Sequence, residues 1–312
     1  EKTKKRLLDA GYGPDILTVR LMNFAQLDQL AEEKGPFDFI LADLGVSSMQ
    51  IDNPERGFTY KYEGPLDLRL NPEKGATAAE RLREIDREEF CGMMIENSDE
   101  PYAEEISQEV FNRFRRGQAV ETTTQLKEAI EAALSFIPEK ERKEAVKKSC
   151  ARVFQALRID VNSEFEVLYA FLEKLPGALK EGGKAAILTF HSGEDRMVKR
   201  SFKQLKKQGV YREISEEVIR PSAEECARNS RARSTKCAGS EGLRKNRTEK
   251  GTCQKICDFL IICLSRHIYG LRQTARGRFL GEAARDGRKK GRTGRAFTDL
   301  SFSCQRNSYE DG

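Results

Sequence analysis

The stretch FDFILADLGVSSMQ, residues 37–50, decides the fold class. Its first half is an almost continuous apolar run that ends at Asp43, which is typical of a strand buried on both faces of a parallel sheet. A turn of small residues follows and places two serines and Gln50 directly after the strand. Ligands of open parallel sheets bind beyond the carboxyl ends of strands, so this stretch predicts a binding loop at a sheet edge.

The segments around this stretch alternate between strand and helix patterns. Residues 15–24 predict a strand and residues 25–35 a helix, while KAAILTFH (184–191) predicts a second buried strand, followed by a helix over 192–207. Residues 211–219 and 230–238 are interpreted as two final strands. The alternation predicts an α/β fold with a doubly wound sheet.

Residues 62–149 carry helical patterns without strands, punctuated by capping residues such as Thr77 and Thr122. We expect a helical insert with a role in substrate recognition. It divides the sheet domain into a first part, residues 1–61, and a second part, residues 150–245. Residues 246–312 then form a basic tail that we expect to be poorly ordered or unrelated to the domain.

The chain of 312 residues is polar: 34% of its residues are charged, 38% are hydrophobic, and its formal charge is +5. The basic excess lies in residues 246–312, whereas residues 1–245 contain slightly more acids than bases. The overall charge is therefore no argument for nucleic-acid binding by the main body. The Gly-Arg content of the tail is compatible with salt-sensitive RNA affinity.

Cysteine usage and hydropathy indicate a cytoplasmic protein that does not enter a membrane. The first four cysteines have no paired spacing, and no signal-peptide pattern is present. In the tail, the series Cys253, Cys257, Cys263 and His267 fits no common zinc module, so we interpret it as incidental and expect no metal. The apolar run 259–264 is far shorter than a membrane-spanning helix requires.

Polar or aromatic residues follow three predicted strands, at Phe24, at Asp43 to Gln50, and at His191 to Arg196. The main body has one histidine and neither a nucleophile elbow nor a phosphate-binding loop. These residues favour group transfer over hydrolysis. An enzyme that transfers an already activated group mainly has to position the two reactants.

Five ordered motifs now support a resemblance: ADLGVSSMQIDNPERGFTY (42–60), GPLDLRL (64–70), FQALRIDVNSE (154–164), LTFHSGEDRMVKRSF (188–202) and RPSAEECARNSRARSTK (220–236). Together they resemble the bacterial ribosomal RNA small subunit methyltransferase H family, also called MraW. The resemblance implies a class I S-adenosylmethionine-dependent methyltransferase fold, a Rossmann-like sheet with an inserted helical subdomain. It also implies N4-methylation of a cytidine in the decoding centre of small-subunit (16S) rRNA.

The resemblance also implies roles for single residues. Phe24, Asp43 and Gln50 match positions that contact S-adenosylmethionine, and Asp43, Asn162 and His191 are the expected catalytic residues. The expected substrate contacts are Arg158, Ser192, Asp195, Arg196, Arg231 and Arg233, with Lys199 and Arg200 as further phosphate contacts. The expected partner is rRNA or the 30S subunit, and a homodimer is possible.

The sequence departs from the family in one important respect. The first two strands of the family's sheet and the glycine-rich cofactor loop between them have no counterpart here, so the chain resembles an N-terminally truncated member. We therefore expect unpaired edges on strands 15–24 and 37–45, and weak cofactor binding. A non-catalytic RNA-binding module with a vestigial cofactor site is the alternative; the combined motifs oppose a methyltransferase for proteins or small molecules.

Overall fold

The computed structural model describes residues 2–13, 17–216, 219–229, 232, 235–242, 257–263 and 267–273. These residues form two compact units. The first unit contains the described residues of 1–44, 172–263 and 267–273, and the second contains residues 45–171. The domain limits expected at residues 61, 149 and 245 stay a prediction.

The first unit is built on a seven-stranded sheet. Its strands are β1 (Leu17–Arg20), β2 (Phe37–Asp43), β3 (Leu179–Thr189), β4 (Tyr211–Ile214), β5 (Lys236–Gly242), β6 (Cys257–Cys263) and β7 (His267–Gln273). The spatial order is β1-β7-β6-β2-β3-β5-β4. Strand β2 pairs in parallel with β3 and β6, and the remaining pairs are antiparallel. The α/β class is confirmed, with a mixed sheet.

Helices occur in both units. They are α1 (Lys2–Asp9), α2 (Leu27–Lys34), α3 (Ser48–Ile51), α4 (Ala78–Glu84), α5 (Arg87–Ser98), α6 (Ala103–Arg115), α7 (Thr123–Ala133), α8 (Glu139–Val161), α9 (Glu164–Ala178), α10 (Ser192–Lys207) and α11 (Ala223–Arg228). Helices α3 to α8 belong to the second unit, and none of the helices among the described residues is long and apolar enough to cross a membrane.

The prediction of unpaired strand edges is wrong, because segments of the C-terminal tail fill them. Strand β6 pairs with β2 over Phe39 to Asp43, and β7 pairs with β1 from Leu17 to Arg20. The sequence of β6, CDFLIIC, is rich in residues that favour strands, and a free strand edge is a ready template for such a segment. Two stretches of the tail therefore have regular structure, contrary to the expectation of poor order.

Two helical patterns in the sequence, TAAERLREIDREEFCGMMIENS (77–98) and FQALRIDVNSEFEVLYAFLEKLPGALKEGG (154–183), predict continuous helices, and the structure interrupts both. The helix expected over residues 77–98 breaks at Ile85, and the carboxylate of Asp86 accepts the N–H of Glu89 as the N-cap of α5. The helix expected over residues 154–183 breaks at Asn162 and Ser163, where Ser163 has φ +48°. Side chains that bond nearby backbone compete with helix continuation at both places.

Each unit has its own apolar core. In the sheet, Ile40, Ala42, Ala185 and Ile187 are fully buried, in agreement with the apolar runs that predicted β2 and β3. In the second unit, the helices pack around fully buried large side chains such as Leu82, Phe90, Met94, Ile106, Leu126 and Ile130. The buried apolar residues of this unit form one contiguous cluster.

Candidate functional site

The carboxyl ends of β2 and β3 meet at one edge of the sheet. Asp43, the last residue of β2, is in register with Leu188 in β3, and the N–H of Leu44 donates to the carbonyl of Leu188 at 3.1 Å. His191 lies two residues after the end of β3 and is the N-cap of α10. The structure thus brings the half-buried Asp43 and the His191 turn to the same edge, as the sequence predicts.

The turn from β3 into α10 is held by Glu194, which is 3% exposed. Its Oε2 accepts the N–H of Phe190 at 2.8 Å, and its Oε1 lies 3.2 Å from Nε2 of His191. The carboxylate also lies in the first turn of α10, where the helix dipole favours negative charge. Glu194 therefore fixes the place of the His191 imidazole relative to the end of β3.

Asp195 is buried between two lysines. Its Oδ2 accepts from Nζ of Lys199 at 2.9 Å and from Nζ of Lys236 at 3.0 Å. Burial opposes the charged form, but the two ammonium groups outweigh it and hold the pKa of the Asp195 carboxyl below its usual range. Its charge is thus used to join α10 to β5, and the expected contact between Asp195 and RNA stays a prediction.

Phe24 begins a short 3₁₀ helix that follows β1. The side chain of Asn23 caps this helix by accepting the N–H of Ala25 at 2.9 Å. Strands β1, β2 and β3 run in the same direction, so Phe24 lies at the same edge of the sheet as Asp43, with β7 and β6 between them. Its ring is 5% exposed, which leaves little of its face for a ligand.

Gln50 lies in the second unit and is 8% exposed. Its Oε1 accepts the N–H and the hydroxyl of Ser47, at 3.0 and 3.2 Å, while the N–H of Gln50 approaches Oγ of Ser47 at 3.3 Å. This reciprocal pair is a capping box for the short helix α3. The Nε2 of Gln50 is buried and has no hydrogen-bond partner among the described residues, and the expected cofactor contact of Gln50 stays a prediction.

Asn162 uses both ends of its amide within the second unit. Its Nδ2 donates to the carbonyls of Leu68 and Arg158 at 2.8 and 2.7 Å, and its Oδ1 accepts the N–H of Leu70 at 2.6 Å. Leu68 has φ +60°, a conformation that is costly for a non-glycine residue. Asn162 therefore holds the strained GPLDLRL segment against the end of α8, and its expected catalytic role stays a prediction.

Arg158 is paired with a buried carboxylate. Its Nε and Nη2 donate to the two oxygens of Glu164 at 2.8 and 2.9 Å, and the two side chains are 14% and 5% exposed. A bidentate pair of this kind fixes both groups in one geometry. This geometry joins the end of α8 to the start of α9, and the predicted phosphate contact of Arg158 stays a prediction.

The remaining predicted substrate contacts fall into two groups. Ser192 and Arg196 are exposed in the first turns of α10, beside the edge that carries Asp43. Arg231, Arg233 and Cys253 lie outside the described residues. Ser192 and Arg196 therefore lie beside this edge, and their expected contacts with the substrate stay a prediction.

Three supporting residues were missed in the sequence. Ser47 carries a readable signal, because Ser-x-x-Gln before a helix is the pattern of a capping box. Glu164 and Lys236 carry none: the first is brought to Arg158 by the positive φ of Ser163, and the second reaches Asp195 from a strand far along the chain. Contacts of this kind depend on tertiary structure and have no local pattern.

Comparisons with known proteins agree with these observations. The sequence pattern of the MraW methylase family matches residues 1–241. The chain is 64% identical over 235 residues to ribosomal RNA small subunit methyltransferase H 1 of Lachnoclostridium phytofermentans, covering 75% of this chain and 64% of that protein. It is 64% identical over 236 residues to the protein of the same name from Agathobacter rectalis, covering 76% and 68%.

A more distant relative extends the comparison. Ribosomal RNA small subunit methyltransferase H of Acidobacterium capsulatum is 35% identical over 245 residues, covering 77% of this chain and 79% of that protein. The matched region includes both the strand ends that carry Asp43 and His191 and the helices of the second unit. The chain belongs to the MraW methylase family.

Proposed function

We propose that this chain is an S-adenosylmethionine-dependent methyltransferase that acts on the exocyclic N4 of a cytidine in small-subunit rRNA. The observation that carries the proposal is the meeting of Asp43 and the His191 turn at the carboxyl edge of β2 and β3, in a chain of the MraW family. The relatives, which are rRNA small subunit methyltransferases, support the substrate class.

Each unit contains residues that suit S-adenosylmethionine. In the second unit, the buried Nε2 of Gln50 is a donor that has no hydrogen-bond partner among the described residues. In the first unit, the carboxylate of Asp43 is an acceptor at a strand end, and Phe24, which is 5% exposed, supplies an apolar surface rather than an open stacking face. When bound, S-adenosylmethionine supplies an electrophilic methyl group on a sulfonium.

The chain itself would activate and position the nucleophile. The N4 amine of cytosine is a weak nucleophile because its lone pair is delocalised into the ring. A carboxylate at Asp43 that accepts an N–H bond from this amine would raise its nucleophilicity and take the proton that is released, and positioned proton transfer contributes roughly 10²–10⁴-fold. Holding the two reactants in line supplies a further large share of the acceleration.

The direct test is methyl transfer to 30S subunits that lack this modification. The 312-residue chain is incubated with these subunits and S-adenosylmethionine at millimolar concentration. The rRNA is then digested to nucleosides, which are separated by chromatography and identified by mass spectrometry. We expect N4-methylcytidine, and its formation should fall by about 10²-fold or more in Asp43→Asn. Asp52→Asn, a change at an exposed residue, is the matched control and should retain the rate.

A second measurement concerns the cofactor. The transfer assay uses millimolar S-adenosylmethionine so that a weak site is also filled. Isothermal titration of the chain with S-adenosylmethionine measures the affinity directly, and the absence of any heat of binding at millimolar concentration would contradict the proposed cofactor. Retention of rRNA without any methyl transfer would instead support the RNA-binding module that is the alternative function.

A further inference from the structure

A groove of about 670 Å³ lies on the second unit, between the end of α4, the start of α5 and the end of α6. Its floor is apolar and includes Leu82, Phe111 and Phe114. Three arginines, Arg83, Arg87 and Arg115, also line it. The residues of the proposed methyl-transfer site do not line this groove.

The aromatic floor is held in place by the packing beneath it. The rings of Phe111 and Phe114 meet edge to face, with centroids 5.4 Å apart and an interplanar angle of 80°. Phe111 in turn lies 6.4 Å from the ring of Phe90, which is fully buried. Phe111 and Phe114 are both half-buried, so each keeps part of its surface toward the groove.

The charged side chains that line the groove are positive. No acidic residue is among those that line it. Arg83 and Arg87 form ion pairs with Glu121 and Glu104 at the surface, and exposed pairs of this kind contribute little and exchange readily. Arg115 donates to the neutral amide oxygen of Asn112 at 2.7 Å, so this contact places no negative charge beside the guanidinium group.

We propose that this groove binds an unpaired nucleotide of the substrate RNA, with the base against Phe111 and Phe114 and phosphates beside the arginines. The inference rests on the proposed function, which supplies RNA as the substrate. Single-stranded RNA is recognised by base stacking on aromatic side chains together with cationic groups along the backbone. The apolar floor suits the bases of such an RNA, and the guanidinium groups around it suit the phosphates. An apolar peptide would make no charged contacts with the arginines.

The test is binding of a fluorescein-labelled single-stranded oligouridylate of about ten nucleotides, within the usual footprint of such sites. Fluorescence anisotropy is recorded over a range of salt concentrations. Phe114→Leu keeps the apolar contact with Phe111 but removes the aromatic face, and we expect about tenfold weaker binding. Arg115→Gln should weaken binding and reduce the slope of log affinity against log salt by about 0.7, the value for one phosphate contact on a single strand.

Matched controls are available beside the groove. Arg116→Gln changes the next residue on the chain, which does not line the groove, and Phe136→Leu changes an exposed phenylalanine elsewhere in the second unit. Both should bind as the unchanged protein does. Circular dichroism melting of all four variants establishes that each is folded before its affinity is compared.

The outcomes separate this inference from the function on which it rests. RNA binding by the unchanged protein, with selective loss in Phe114→Leu and Arg115→Gln, supports the groove. Equal binding by these variants and the controls would overturn the proposal that the groove binds RNA and would favour a protein partner for the groove. Failure of the unchanged protein to bind the oligonucleotide also overturns the groove, whereas the RNA substrate itself is judged separately by methyl transfer to 30S subunits.

Discussion

Two carboxamides in the second unit, the half-buried Asn162 and the buried Gln50, are bonded in different ways. Asn162 donates twice and accepts once, so its whole amide serves to hold the segment around Leu68. Gln50 accepts from Ser47 through Oε1, while its buried Nε2 has no hydrogen-bond partner among the described residues. The bonds of Asn162 have a structural role, whereas a buried donor without a partner is the exception in folded proteins and calls for an explanation.

The largest effect that this comparison predicts is in Asn162→Leu, which keeps the size of the side chain and removes its polar atoms. The carbonyl of Leu68 and the N–H of Leu70 then lose their partner, at about 1–3 kcal/mol for each buried group that is left unbonded. We expect the free energy of unfolding to fall by about 3 kcal/mol, measured by urea denaturation.

The control for Asn162 is another asparagine of the same unit. Asn97 donates a single side-chain hydrogen bond, to the carbonyl of Ala156 at 3.2 Å, so Asn97→Leu should cost only about 1 kcal/mol. Equal losses at the two positions would show that the strained segment around Leu68 does not depend on Asn162.

An intermediate effect is expected for a buried group whose partners are charged. Asp195→Asn removes the carboxylate that Lys199 and Lys236 share, and we expect a loss of about 2 kcal/mol near neutral pH. Because the pKa of Asp195 is lowered in the folded protein, its stabilisation is present above the unfolded pKa of about 3.9 and is lost as pH falls through the folded value.

The pH dependence provides the check on Asp195. Unfolding free energies of the unchanged protein and Asp195→Asn should differ by a constant amount above about pH 5 and converge as the solution is acidified below about pH 4. A difference that persists at low pH would mean that packing, rather than charge, accounts for the loss.

The smallest effect is expected in Gln50→Met, which matches Asn162→Leu in design. The substitution removes the acceptor for Ser47, which lowers the free energy of unfolding. It also removes a buried donor that has no hydrogen-bond partner among the described residues, which raises the free energy of unfolding. We expect stability to change by less than about 0.5 kcal/mol in urea denaturation. A loss close to that of Asn162→Leu would show that Nε2 has a structural role and would remove the argument for a ligand.

Part of the site could be predicted because the sequence pattern indicates where the strands end. The apolar runs that stop at Asp43 and near His191 predict where β2 and β3 end, and parallel strands bring those ends together. The capping box of Ser47 and Gln50 is also local and therefore readable.

The contacts that support the site could not be predicted in the same way. The pair of Arg158 with Glu164 depends on the break in the helix at Ser163, which a helical pattern does not show. The bond between Lys236 and Asp195 depends on which strand lies beside β3, a property of the whole fold. The strands β6 and β7 were missed because their pairing depends on the free edges of distant strands.

The position of β6 and β7 in the sheet has a consequence for the order of folding. Leu17 in β1 pairs with Leu271 in β7, so this pairing joins residues that are far apart in the sequence. The helices of the second unit surround an apolar core of their own, and its contacts are closer in sequence than the pairing of β1 with β7. Pairings of such large sequence separation form slowly, which makes completion of the sheet the expected late step in folding.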